Sequence, residues 1–78
     1  MSNHSLYTIA QAIRRLCASR QRAASLQLGG VHIALVKVFS RKWQLRRIPG
    51  GLAVFVPQCA QVGPGQVLHI LTTLFKGE

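Results

Sequence analysis

Ten Lys and Arg residues stand against a single acid, Glu78, so the chain carries a formal charge of +9 over 78 residues. No other feature limits its fold so strongly. At most one of these cations can pair with an acidic side chain of the same chain. The others lack such a partner, and the compact state repels itself until counter-charge relieves it. Nucleic-acid phosphate is the commonest such counter-charge. The same imbalance excludes chemistry: one carboxylate builds neither a Mg²⁺ or Ca²⁺ cage nor a paired-carboxylate acid–base site.

The chain is not a disordered basic tail, because 49% of it is hydrophobic, enough for one small core. Cys17 and Cys59 sit far apart in apolar settings, a pattern unlike a zinc site or a disulfide framework. Two reduced thiols are expected, with no metal and no cofactor. No apolar run approaches the roughly 18 residues of a membrane-spanning helix, so a cytoplasmic protein without a membrane partner is expected. The alternative is mitochondrial: residues 1–28 lack acids, carry four Arg and are amphipathic, like a presequence.

Leu6, Ile9, Ala10, Ile13, Leu16, Cys17 and Ala24 recur at helical spacing, which predicts a helix over 5–28 that Gly29 and Gly30 terminate. Arg14, Arg15 and Arg22 fall on its exposed side, and Arg20 falls inside the apolar sector. Strands are predicted over 31–39, 42–48 and 52–57, with Pro49-Gly50-Gly51 as a hairpin turn between the last two. A loop over 58–63 and a helix over 64–76 follow. Pro64 suits the helix's first turn, and Val67, Leu68, Leu71, Leu74 and Phe75 form its apolar face. The reading is an α+β, two-layer α-β-β-β-α sandwich: a three-stranded antiparallel sheet with two helices on one face. Both faces of its strands are apolar. Ala34, Val36 and Val38 oppose Ile33 and Leu35, and Phe55 opposes Val54 and Val56. Helices cover one face only, so Ala34, Val36, Val38 and Phe55 are expected at an interface with a second copy or another protein.

The order of elements resembles the double-stranded-RNA-binding fold. The run Ser40-Arg41-Lys42-Trp43-Gln44-Leu45-Arg46-Arg47, then Pro49-Gly50-Gly51, Leu52 to Pro57, Pro64-Gly65 and the Ile70-Leu71 helix resembles the HicA family of small RNA-cleaving toxins over residues 37–77. That resemblance implies an RNA ligand. It sets Lys42, or less favourably Arg41, where the family has its catalytic histidine. A lysine ammonium donates but does not accept, so the resemblance implies retained binding without the usual cleavage.

Four constellations remain. Arg41, Lys42, Arg46 and Arg47 form a basic stripe for phosphates, with Trp43 among them read as core through its parity with Leu45. Arg14, Arg15 and Arg22 form a second line without acidic partners. His32, His69 and His4 lie on separate elements. His32 and His69, with Lys42, are the only candidates for metal-independent ribonuclease chemistry, and three unrelated histidines is the simpler reading. Pro49-Gly50-Gly51 and Gly63-Pro64-Gly65 lack the lysine and hydroxyl of a phosphate loop. The expectation is therefore a non-catalytic nucleic-acid-binding protein, RNA before DNA. A protein-binding subunit or inhibitor using the apolar sheet face, and a HicA-like toxin, are the alternatives.

Overall fold

The computed structural model describes residues 3–58 and 63–76. The chain forms α1 (Asn3–Ala18), β1 (Ala23–Leu28), β2 (Val31–Val38), β3 (Gln44–Ile48), β4 (Gly51–Pro57) and α2 (Pro64–Lys76). This is an α+β fold, but the predicted three antiparallel strands are corrected to a four-stranded mixed sheet in the order β1-β2-β4-β3. The central pair, β2 and β4, is parallel, and both edge strands run antiparallel to their neighbours.

The predicted 5–28 helix is two elements. Continuing the apolar stripe of α1 past Cys17 would put Arg20 and Gln21 into the core. The helix stops first, with both the backbone N–H and the hydroxyl of Ser19 donating to the Leu16 carbonyl (3.1 and 2.9 Å). Beyond it the periodicity changes to two. Ala24, Leu26 and Leu28 are half-buried while Ser25 and Gln27 are exposed, the signature of a strand with one covered face. Gly29 and Gly30 therefore do not end a helix. They are the two residues of the β1–β2 hairpin, at φ 56° and 80°, and positive φ at both central positions is what a type I′ turn requires.

The second hairpin, β3–β4, turns where expected, but through Pro49-Gly50 alone, because Gly51 is already the first residue of β4 and pairs with Ile48. Proline presets the first central residue, and Gly50 at φ 81° supplies the second. Gly51 is then needed for a different reason: a Cβ there would collide with the His32 backbone on β2.

The core lies on one side of the sheet. Leu6, Ile9, Ala10, Ile13 and Leu16 of α1 and Val67 and Leu71 of α2 pack with Ile33, Leu35, Val54 and Val56. Of the predicted helix stripes these seven helix residues are buried, Cys17, Leu68 and Phe75 pack half-buried against them, Leu74 is half-buried, and Ala24 belongs to β1; Trp43 packs partly buried against the same cluster. At the start of α2 the Gln66 side-chain oxygen accepts from the Gly63 N–H (3.1 Å), the reciprocal half of a capping box. Cys59 and most of the 58–63 loop lie outside the described residues.

Candidate nucleic-acid interface

The topology sorts the charges. Because β2 and β4 are parallel, their C-terminal ends share one end of the sheet, and the antiparallel β1 and β3 begin there. The α1–β1 connection, the β2–β3 connection and the exit of β4 all meet at this end. The two hairpin turns lie at the opposite end. β4 sits between β2 and β3, so residues 39–43 must cross the end of β4 as an arch. Gln58, leaving β4, donates its N–H to the Val38 carbonyl (2.9 Å) and keeps that exit beside the arch.

Seven of the ten cations gather here. Arg20 and Arg22 lie on the α1–β1 connection, Lys37 is the second-last residue of β2, and Arg41 and Lys42 are on the arch. Arg14 and Arg15 lie on the second half of α1, whose C-terminus is tied to this end by Lys37 Nζ donating to the Ser19 carbonyl (2.7 Å). The negative pole of that helix favours the neighbouring cations. The three remaining cations, Arg46, Arg47 and Lys76, are on β3 and α2. The described residues contain no Asp or Glu, since Glu78 lies outside them.

The arch has a defined shape. The Ser40 hydroxyl accepts from the Lys42 N–H (3.1 Å), a Ser turn that leaves Arg41 at the apex. Ahead of it, Phe39 is 80% exposed, with the Arg22 guanidinium 5.6 Å from its ring centroid. Val38, Phe39, Ser40, Arg41 and Gln58 line a shallow cleft of about 390 Å³ between the arch and the β4 exit.

This regroups the predicted site residues. Arg22 is not on the helix with Arg14 and Arg15, but the fold returns it to their end of the molecule. The Arg41–Arg47 stripe divides. Arg41 and Lys42 belong to the arch. Arg46, in register with Ala53, takes the open sheet face, where its guanidinium lies 5.8 Å from the Phe55 centroid. Arg47, in register with Leu52, has the opposite parity.

Lys42 and His32 are not brought together. His32 is at the hairpin end, its backbone N–H donating to the Gly50 carbonyl (3.1 Å) and its ring Nδ1 3.2 Å from the Gln27 amide. His69 and His4 are exposed on α2 and α1. Among the described residues no three His, Cys, Asp or Glu side chains could share a metal ion, and no helix is long and apolar enough to cross a membrane. Ala34, Val36, Val38 and Phe55 share the sheet face opposite the helices, as expected, with Val36 and Phe55 in register.

Sequence reading missed Phe39, placing it inside the first predicted strand. The signal was Lys37: a charge in the row of Ile33 and Leu35 marks where the strand leaves the core, so the next residue in that row, Phe39, is beyond it. Gln58 was equally hidden, because its place beside Val38 follows from the parallel β2–β4 pairing. Searches of protein-family models, curated proteins and solved structures find no match to this chain.

Proposed function

We propose that this protein binds nucleic acid, RNA before DNA, by its arch end. One observation carries the reading: the cations of three separate chain segments, 14–22, 37 and 41–42, converge on one end of the sheet with no carboxylate among the described residues to pair them. A polyphosphate chain laid across that end meets several cations at once, and release of its counterions drives the association. Guanidinium and ammonium groups position a backbone without reading sequence, so modest sequence preference is expected. Titration of labelled RNA and DNA at two salt concentrations tests this. Affinity that falls steeply with salt supports it, and affinity indifferent to ionic strength overturns it.

A second reading rests on the open sheet face. Ala34, Val36, Val38 and Phe55 are half-buried there without a covering helix. A protein partner, or a second copy, seated on that face would complete a sandwich. Light scattering on the purified chain and on Val36→Glu distinguishes the cases: an assembly that the substitution dissolves supports this reading, and a monomer in both removes self-association.

A further inference from the structure

The cation cluster alone does not distinguish a duplex from a single strand. Phe39 does. Exposing a phenylalanine ring to water is unfavourable, and at 80% exposure the fold gives this one almost no internal contact. Its position is nonetheless fixed. It starts the arch directly after β2, beside the hydrogen bond from Gln58 to Val38, and the Arg22 guanidinium stands over its ring. Arg41 and Lys42 follow within three residues. The cleft beside it adds the Ser40 hydroxyl and the Gln58 amide, groups able to meet the polar edge of a flat heterocycle.

An aromatic ring held among cations is the recurrent arrangement by which proteins take unpaired bases. The base stacks on the ring while flanking charges hold the backbone, and the contact tolerates any sequence because every base has a π-face. In a duplex those faces are already stacked on one another, and reaching one means prising a base step apart. Resting on the function proposed above, we infer that the arch end selects single-stranded nucleic acid, with an unpaired base stacked on Phe39 and its phosphates on Arg22, Arg41 and Lys42. This departs from the double-stranded ligand that the sequence resemblance implied.

The test is fluorescence anisotropy with a short labelled oligouridylate and an RNA duplex of equal phosphate content, using wild type, Phe39→Leu and Phe39→Tyr. Leucine keeps the apolar bulk and loses the π-face, whereas tyrosine keeps both. Circular dichroism melting serves as the control, and at this exposed position it is expected to be unchanged. The single strand is expected to bind more tightly than the duplex. Phe39→Leu is expected to weaken the single strand about tenfold and leave the duplex as it was, and Phe39→Tyr to retain wild-type binding. Equal affinity for both ligands, untouched by Phe39→Leu, overturns the stacking inference while leaving nucleic-acid binding in place. No binding to either ligand at low salt overturns both. Phe39-dependent capture by phosphatidylglycerol vesicles without oligonucleotide binding assigns the site to a lipid surface and overturns both as well.

Discussion

The two ends of this sheet are built by different rules. At the hairpin end the residues are chosen for backbone geometry. Gly29, Gly30 and Gly50 occupy left-handed conformations, Gly51 permits β4 to approach β2, and neither turn carries a charge. At the arch end nothing in the backbone demands glycine. Cations and one exposed aromatic occupy connections that cross or leave the sheet. One end holds the strands in register, and the other is the surface proposed to meet a ligand. If that division is right, substitutions at the two ends should separate cleanly into those that change stability and those that change binding.

The largest effect is expected from Gly51→Ala. The added methyl group meets the His32 backbone, which cannot move aside as a flexible side chain would, so the central β2–β4 pairing must open. A loss of roughly 3 kcal/mol or more is expected, a large share of the stability a domain this size has. Urea or thermal denaturation measures it. A near-neutral result would show that the hairpin end does not set the register.

Next comes the arch. Replacing Arg22, Arg41 and Lys42 together by Ala is expected to weaken oligonucleotide binding by on the order of a hundredfold at low salt. The salt slope should become shallower by about 2. Stability should hold or rise, since three mutually repelling charges are removed. A binding loss accompanied by unfolding would merge the two ends into one and break the comparison.

The unequal legibility of the molecule follows the same division. The two helix stripes, the Pro49-Gly50 turn and the opposition of Ala34, Val36 and Val38 to Ile33 and Leu35 were readable, because each is a local pattern. β1 was not. Ala24 satisfies a helical stripe and an alternating strand equally, and Gly29-Gly30 suits both a helix end and a hairpin. What decided between them was the cost of burying Arg20, a cue visible in the sequence as the one arginine in the apolar sector. The insertion of β4 between β2 and β3 was illegible in principle, since β2–β4 pairing joins residues about 20 apart through no local signal. The candidate site inherits that limit. Its cations were found individually, but their convergence, and the exposure of Phe39 beside Gln58, exist only once the strand order is known.

A smaller effect is expected from Gly30→Ala, which forces a side chain into φ 80°. The cost should be about 1–2 kcal/mol. The substitution lies in an uncharged turn at the end of the sheet opposite the arch and meets nothing in the space around it, so oligonucleotide affinity and its salt slope should be unchanged. Altered binding would show that the hairpin end contributes to the ligand surface.

Lys37 is the place where the division is least obvious, and the smallest effect is expected there. It belongs to the arch end by position, yet its ammonium is already engaged, donating to the Ser19 carbonyl at the C-terminus of α1. A charged hydrogen bond to a helix end contributes about 0.5–1 kcal/mol, so Lys37→Met, which keeps the aliphatic stem, should lower stability by that amount. Removing one positive charge from a chain of +9 also relieves repulsion, an opposing gain that salt screens. Denaturation at low and at moderate salt therefore separates the two contributions, with the loss larger at moderate salt. If Lys37 serves the helix, the salt slope of oligonucleotide binding stays within error of wild type. If the slope falls by about 0.7 and stability is unmoved, Lys37 belongs with Arg22, Arg41 and Lys42, and the ligand surface reaches down the end of β2 to the foot of α1.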